Sequence, residues 1–128
     1  MSIADHVAES QAQSAREAIL LRQNKNGVII LTLNRPGQYN ALSEAMLTAL
    51  QTELDNIASD DSVRVVVLAA TGKAFCAGHD LKQMRARPDQ DYYNSLFDQC
   101  SRMMMTINRL PQPVIARVQG LATAAGFE

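Results

Sequence analysis

Two segments rich in small residues carry the backbone groups that could do chemistry in this chain. The first, residues 73–81, contains Gly78 and follows the apolar run 63–70, which predicts a strand buried on both faces. The second, residues 119–126, follows the apolar run 114–118, which predicts another buried strand. Glycine allows a ligand to approach the backbone closely. Because two strand ends that each deliver an N–H group can stabilise a developing oxyanion, the pattern predicts a backbone oxyanion hole.

The elements that must position these segments follow from the apolar pattern. Residues 19–22 and 28–33 predict two strands joined by a turn at Asn26-Gly27, since both residues accept positive φ. Ser43 is expected to cap the first helix. Apolar residues at helical spacing predict its buried face: Met46, Leu47, Leu50, Leu54 and Ile57. Residues 91–110 predict a second helix with an inner face of Leu96, Phe97, Cys100, Met103, Met104 and Ile107.

The remaining elements complete one domain. Residues 85–90 are polar and include Pro88, which predicts a mobile loop, and a third helix is expected to begin around Thr123. Strands that alternate with helices imply parallel crossovers and an α/β layer architecture. We expect residues 1–17 to be a flexible leader and residues 18–128 to form the domain.

Composition excludes several classes of protein. The 128 residues carry a formal net charge of −1, which argues against a nucleic-acid surface. No apolar run approaches the roughly 20 residues that span a bilayer, and the acidic N-terminus resembles neither a secretory signal nor a transit peptide. A cytoplasmic location is expected, or a mitochondrial one if the source is a eukaryote. Cys76 and Cys100 are expected to be reduced and buried.

Four segments carry a resemblance to a known family. They are Leu33-Asn34-Arg35-Pro36 with Asn40-Ala41-Leu42, the apolar run 63–70, Phe75-Cys76-Ala77-Gly78-His79-Asp80-Leu81, and Pro113-Val114-Ile115-Ala116 with Gln119-Gly120. In this order they resemble the crotonase superfamily of acyl-CoA enzymes, the enoyl-CoA hydratase/isomerase family. The resemblance implies the α/β, ClpP/crotonase-like ββα-superhelix fold, of which residues 18–128 would be a truncated, N-terminal half.

The resemblance also implies roles for individual residues. The backbone N–H groups of His79 and Ala125 would form the oxyanion hole for an acyl-CoA thioester, and the dipole of the helix begun near Ala125 would reinforce it. Glu128 falls at the position of the first of two catalytic glutamates, and the second would lie beyond it. The substrate-binding positions would be Asn40, Ala41, Leu42, Ala77, Gly78, Asp80, Leu81 and Ala124. Full-length members form homotrimers or hexamers, and no cofactor is expected because coenzyme A is part of the substrate.

Two residues depart from the family pattern. Ala124-Ala125 replaces a pair of glycines that is frequent there, so a methyl group is expected to crowd the thioester, and Phe127 replaces a small residue. Two interpretations of the function follow from the resemblance and these departures. The chain could be an acyl-CoA enzyme. It could also be a catalytically silent fragment that acts as an interaction or regulatory module.

Several of these residues have simpler interpretations. Gly78 could mark only a tight turn, and Asp80 could cap a following helix and not touch a ligand. His79 could act through its side chain or its backbone. The spacing of Cys76 and His79 is that of half a zinc site, but no second pair completes it and no metal is expected. The basic residues that follow could be a solvated face or could attract the CoA phosphates: Lys82, Arg85 and Arg87.

Overall fold

A computed structural model describes residues 18–127, which fold into two small sheets and three helices. The strands are β1 (Leu20–Lys25), β2 (Val28–Leu33), β3 (Val65–Ala70), β4 (Ala74–Cys76), β5 (Val114–Ala116) and β6 (Leu121–Ala122). The α-helices are α1 (Glu44–Ala58), α2 (Leu81–Ala86) and α3 (Gln90–Arg109). Across residues 18–127, no helix combines the length and the apolar character that crossing a membrane requires. The predicted leader lies outside the described residues.

The larger sheet has the strand order β1-β2-β3-β5. β1 and β2 form an antiparallel hairpin whose turn residues, Asn26 and Gly27, have φ of 54° and 88°, as the turn prediction requires. β2 then pairs with β3 in parallel, and β3 with β5 in parallel. The parallel pairs are linked by helical crossovers, so the predicted α/β architecture is confirmed. β4 and β6 form a separate parallel pair.

The core lies between the larger sheet and α1. Ile29, Leu31 and Val66 of the sheet are fully buried, and the five predicted apolar residues of α1 are all buried as expected. Ser43 caps α1, since its hydroxyl accepts a hydrogen bond of 3.1 Å from the backbone N–H of Met46. α3 lies alongside α1, and Gln51 Nε2 donates to Thr106 Oγ1 between the two helices.

The inner face of α3 is narrower than predicted. Leu96, Cys100 and Met103 are buried, whereas Phe97 is exposed, and Met104 and Ile107 are only partly buried. The prediction of a loop over residues 85–90 was wrong at both ends of that range. Arg85 belongs to the last turn of α2, and Gln90 begins α3 one residue earlier than predicted.

The strands that lead to the small-residue segments are shorter and more exposed than predicted. β3 begins at Val65, two residues late, and only Val66 and Ala69 within it are buried. β5 ends at Ala116 and is the edge strand of its sheet among the described residues, and Ile115 within it is exposed. The third helix predicted from around Thr123 is wrong, because residues 124–126 form a single 3₁₀ turn that follows β6. Ala124 has φ of 49°, a left-handed conformation that an α-helix cannot include.

Candidate functional site

The two small-residue segments meet at Gly78. A Cβ atom placed on Gly78 would lie 3.2 Å from Cβ of Ala124 and 3.3 Å from the backbone N of Ala125. The φ of Gly78 is 88°, a conformation that other residues rarely adopt. Gly78 is therefore required both for its own backbone conformation and for the close approach of residues 124 and 125.

Pairing of β4 with β6 brings these segments together. Ala74 is opposite Leu121, and Cys76 is opposite Ala122. Beyond the strands, Thr123 joins the second segment to the first through two hydrogen bonds. Its backbone N–H donates to the carbonyl of Cys76 at 3.1 Å, and its hydroxyl donates to the carbonyl of Ala77 at 3.3 Å. A side chain at Gly126 would collide with the carbonyl of Cys76. The role of Thr123 could not be predicted from the sequence, because it depends on the pairing of β4 with β6.

A third segment, residues 39–42, flanks the first segment on its other side. The backbone N–H of Leu42 donates to the carbonyl of Gly78 at 2.6 Å, and that of Ala77 donates to the carbonyl of Tyr39 at 3.0 Å. Leu42 and His79 form an isolated parallel bridge. The structure thus brings the predicted substrate-binding positions 40–42, 77–78 and 124 into one neighbourhood.

The side chain of Asn40 binds the protein's own backbone. Its Oδ1 accepts from the N–H of Arg35 at 2.7 Å, and its Nδ2 donates to the carbonyls of Thr71 and Ala74 at 2.9 and 3.0 Å. The residue is 0% exposed. Asn40 is therefore closed to a ligand in this conformation, and its side chain positions residues 35–42 against the end of β3.

Gln119 has a similar role that the sequence did not reveal. Its Nε2 donates to the carbonyls of Gly72 and Ala74, at 3.0 and 3.1 Å. The carbonyl of Ala74 thus receives the amides of both Asn40 and Gln119. Neither residue type nor spacing signals such contacts, which span 45 residues or more for Gln119.

The second predicted donor, the N–H of Ala125, lies within the 3₁₀ turn. The N–H groups of Gly126 and Phe127 donate to the carbonyls of Thr123 and Ala124. Among residues 18–127, no carbonyl accepts from the N–H of Ala125. The helix dipole expected to reinforce this donor is absent from the described residues, because the turn is only three residues long.

The first predicted donor belongs to His79, whose ring packs against α3. The ring meets Phe97 of α3 edge-on, with centroids 5.0 Å apart and planes at 75°. This contact fixes the side chain against a helix, which favours a role through the backbone of His79. Glu128, the third predicted catalytic residue, lies outside the described residues.

Asp80 caps α2, as the simpler interpretation predicted. Its Oδ1 accepts a hydrogen bond of 3.1 Å from the backbone N–H of Gln83. The next residue, Leu81, is exposed. Lys82, Arg85 and Arg87 are exposed as well.

One of these basic residues joins a small polar cluster beside α2. The guanidinium of Arg87 lies 4.5 Å from the ring centroid of Tyr92, whose hydroxyl donates to Oε2 of Glu44 at 3.2 Å. Desolvation, followed by the nearby carboxylate of Glu44, raises the pKa of Tyr92. The cluster connects the beginnings of α1 and α3.

Cys76 lies under the site and is buried, as is Cys100, which confirms the predicted burial of both. Desolvation raises the pKa of the Cys76 thiol, although a hydrogen bond from the backbone of Gly78 opposes the shift. Cys76 is therefore a protonated packing residue at neutral pH. Within residues 18–127, no three His, Cys, Asp or Glu side chains are grouped so that they could hold a metal ion.

Known proteins resemble this chain in sequence and in fold. The chain is 42% identical over 106 residues to the mitochondrial enoyl-CoA hydratase domain-containing protein 3 of Xenopus laevis, which covers 83% of this chain and 36% of the relative. A crystal structure of an enoyl-CoA hydratase from Mycobacterium smegmatis matches with a TM-score of 0.84 and 61% identity, over 86% of this chain and 43% of that one. The human enoyl-CoA hydratase domain-containing protein 3 matches with a TM-score of 0.81 and 38% identity, over 85% and 43% of the two chains.

The chain thus spans less than half the length of these relatives, and the matched part is the N-terminal half of the crotonase fold. The fold predicted from the four sequence segments is confirmed. The family model for enoyl-CoA hydratase/isomerase matches residues 23–128. The chain therefore belongs to the enoyl-CoA hydratase/isomerase family.

Proposed function

We propose that this chain binds an acyl-CoA thioester and holds its carbonyl oxygen between the backbone N–H groups of His79 and Ala125. One observation carries the proposal: the backbone at Gly78 lies against the N atom of Ala125, at 3.3 Å from the position of a Gly78 Cβ. The second proposed donor thus lies against the residue that precedes the first, although the two are distant in the sequence.

Such an arrangement favours reactions that pass through an enolate. As the proton next to a thioester leaves, negative charge grows on the carbonyl oxygen, so fixed donors stabilise the transition state more than the ground state. Removal of one such donor typically costs about 10²–10³-fold in kcat. Hydration or isomerisation of an enoyl-CoA also needs an acid–base group, and Glu128 remains the candidate that the family resemblance supplies.

The surroundings of the donors support substrate binding mainly through the backbone. Residues 39–42 and 77–78 are joined by main-chain hydrogen bonds, and the side chain of Asn40 is hydrogen-bonded within the protein. The methyl group of Ala124 lies beside Gly78, so it would narrow the space around the thioester. The exposed Lys82, Arg85 and Arg87 could serve the CoA phosphates, since they follow directly on the first segment.

The remaining properties of the whole protein are proposals from the family. Homotrimeric or hexameric assembly, the absence of a resident cofactor and a place in fatty-acid metabolism follow from the resemblance. The similar proteins include one named as mitochondrial and one from a bacterium, so both a cytoplasmic and a mitochondrial location agree with them.

Calorimetric titration of the purified chain with a short-chain acyl-CoA tests the proposal. We expect saturable binding that becomes at least about tenfold weaker in Gly78→Ala, because a Cβ there would press on Ala124 and Ala125. Gly37→Ala is the matched control, since nothing lies within 4 Å of a Cβ at Gly37 and its φ is ordinary. Circular dichroism verifies that both variants fold.

Two results would contradict the proposal. One is a folded, soluble chain that binds no acyl-CoA at millimolar concentration. The other is equal binding by Gly78→Ala and Gly37→Ala, which would place the ligand elsewhere. In the first case the alternative from the sequence, a catalytically silent interaction module, would be the better description of these residues.

A further inference from the structure

The helix that follows the first proposed donor lacks a buried face. α2 begins two residues after His79, and none of its six residues is buried. A helix of this length is not stable by itself, and most helical stability in proteins comes from the packing of an apolar face. The position of α2 must therefore depend on individual side-chain contacts.

Two aromatic residues of α3 contact the chain just before α2 and within it. The ring of Phe97 meets the ring of His79 edge-on at 5.0 Å, and the hydroxyl of Tyr93 donates to the carbonyl of Met84 at 3.0 Å. Because Tyr93 and Phe97 are four residues apart in α3, they lie on one face of that helix. One face of α3 thus holds both the donor residue and the helix that follows it.

The chain entering α1 contacts the same segment. The backbone N–H of Leu42 donates to the carbonyl of Gly78, and that of Glu44 donates to Oε1 of Gln83 at 2.8 Å. One of these hydrogen bonds lies before His79 in the sequence and the other lies after it. The segment that carries the first proposed donor is therefore tied to both of the longer helices.

We propose that Tyr93 and Phe97 are positioning residues, which fix the backbone of His79 by holding α2 and the His79 ring against α3. The inference rests on the proposed function, in which the N–H of His79 binds the thioester carbonyl. An oxyanion donor is most effective when its direction is set before the reaction, because no reorganisation is then needed as charge develops. Both residues act through His79 and α2, so neither needs to touch the ligand.

The surroundings of the two residues separate this role from a role in the core. Phe97 is 43% exposed, although its neighbour Leu96 is buried, and Tyr93 is half-buried. Their loss should therefore loosen the segment around His79 and leave the core between the larger sheet and α1 intact.

Hydrogen exchange of the full 128-residue chain without ligand is the first measurement. Phe97→Leu removes the ring, and Tyr93→Phe removes the hydroxyl. We expect each to speed exchange at the amides of residues 79–86 at least about threefold, with no change at the amides of α1. Phe97→Tyr keeps an aromatic ring and should exchange like the unaltered chain.

Tyr92→Phe is the matched control for Tyr93→Phe. It removes a hydroxyl from the adjacent position of α3, but that hydroxyl donates to the carboxylate of Glu44 and not to α2. Exchange over residues 79–86 should therefore stay close to that of the unaltered chain. Equal acceleration in the two variants, or none in either Tyr93→Phe or Phe97→Leu, would overturn the inference.

The second measurement uses bound ligand. A short-chain acyl-CoA labelled with ¹³C at its thioester carbonyl is added to each variant, and the resonance of that carbon is recorded by NMR. Hydrogen bonds to the carbonyl oxygen move this resonance downfield. We expect Phe97→Leu and Tyr93→Phe to lose at least half of the displacement seen with the unaltered chain, and Phe97→Tyr and Tyr92→Phe to retain it. Full displacement in all four variants would overturn the inference, because the two residues would then stabilise α2 without affecting the donor.

The two measurements distinguish failure of this inference from failure of the proposed function. If the unaltered chain binds no acyl-CoA, the proposed function fails, and the exchange results alone decide whether Tyr93 and Phe97 fix the backbone of His79. If acyl-CoA binds but exchange over residues 79–86 is the same in all variants, the proposed function stands and the inference fails.

Discussion

The candidate site concentrates left-handed backbone conformations in a few residues. Gly78 has φ of 88°, while Tyr39, Asn40 and Ala124 have φ of 53°, 52° and 49°. Glycine adopts such a conformation at no steric cost and asparagine tolerates it, whereas in other residues it costs about 1–2 kcal/mol. Tyr39 and Ala124 thus hold strain next to Gly78, and the surrounding hydrogen bonds must maintain it.

The side chain of Asn40 supplies three of the hydrogen bonds around residues 35–42, and it should therefore matter for stability. Asn40→Ala would leave the N–H of Arg35 and the carbonyl of Thr71 without their partner and would force alanine into a left-handed conformation. We expect the free energy of unfolding to fall by about 3 kcal/mol, measured by urea denaturation.

Asn94→Ala is the matched control for this change. The side chain of Asn94 is exposed on α3 and accepts only from Gln90, so its loss should change the stability by less than about 0.5 kcal/mol. If the free energy of unfolding falls equally in the two variants, the buried amide of Asn40 does not hold residues 35–42 in place.

At the scale of single elements, α2 depends on its cap more than a longer helix would. It has six residues, none of them buried, and Asp80 satisfies the N–H of Gln83 at its start. Asp80→Ala should cost about 1 kcal/mol and speed hydrogen exchange at the amides of α2. Asp80→Asn keeps a side-chain oxygen at the cap and should preserve both properties.

Comparison of the two variants separates capping from a role of charge. If Asp80→Asn proves as unstable as Asp80→Ala, the carboxylate charge and not the cap holds α2. If Asp80→Asn is stable but binds acyl-CoA at least tenfold less tightly, Asp80 acts on the ligand, and the capping interpretation is incomplete.

The elements that sequence predicts correctly are those with strong local signals. The apolar spacing of α1 with Ser43 at its start, and Asn26-Gly27 between two apolar strands, are complete within a few residues. β4 and β6 have three and two residues, too few for a period, and only their pairing makes them strands. The expected helix after Thr123 failed because Ala124 takes a left-handed conformation that no propensity reveals.

The site follows the same rule. Gly78 and the small residues at 124–126 could be identified from sequence, and the family resemblance placed them together. The long-range hydrogen bonds of Asn40 and Gln119 could not be predicted from the sequence. A side-chain amide that binds a carbonyl 31 or 45 residues away leaves no local pattern. Residue types indicate which groups are available, and only the fold decides where those groups point.

For the molecule as a whole, the two sheets differ in how firmly they are held. β2 and β3 each pair with a neighbour on both sides and contribute Ile29, Leu31 and Val66, which are fully buried, to the core against α1. β6 is two residues long, pairs with β4 alone, and exposes Leu121. The free energy of local unfolding is therefore expected to decrease from the hairpin and α1 towards the 3₁₀ turn.

Native-state hydrogen exchange of the isolated chain should show this gradient. We expect the amides of β2 and β3 to exchange only through global unfolding, and those of β6 and the 3₁₀ turn to exchange at least about 100-fold faster through local opening. Uniform protection along the chain would contradict the gradient. Because the N–H of Ala125 lies in the weaker part, the oxyanion site should form only while that part is closed.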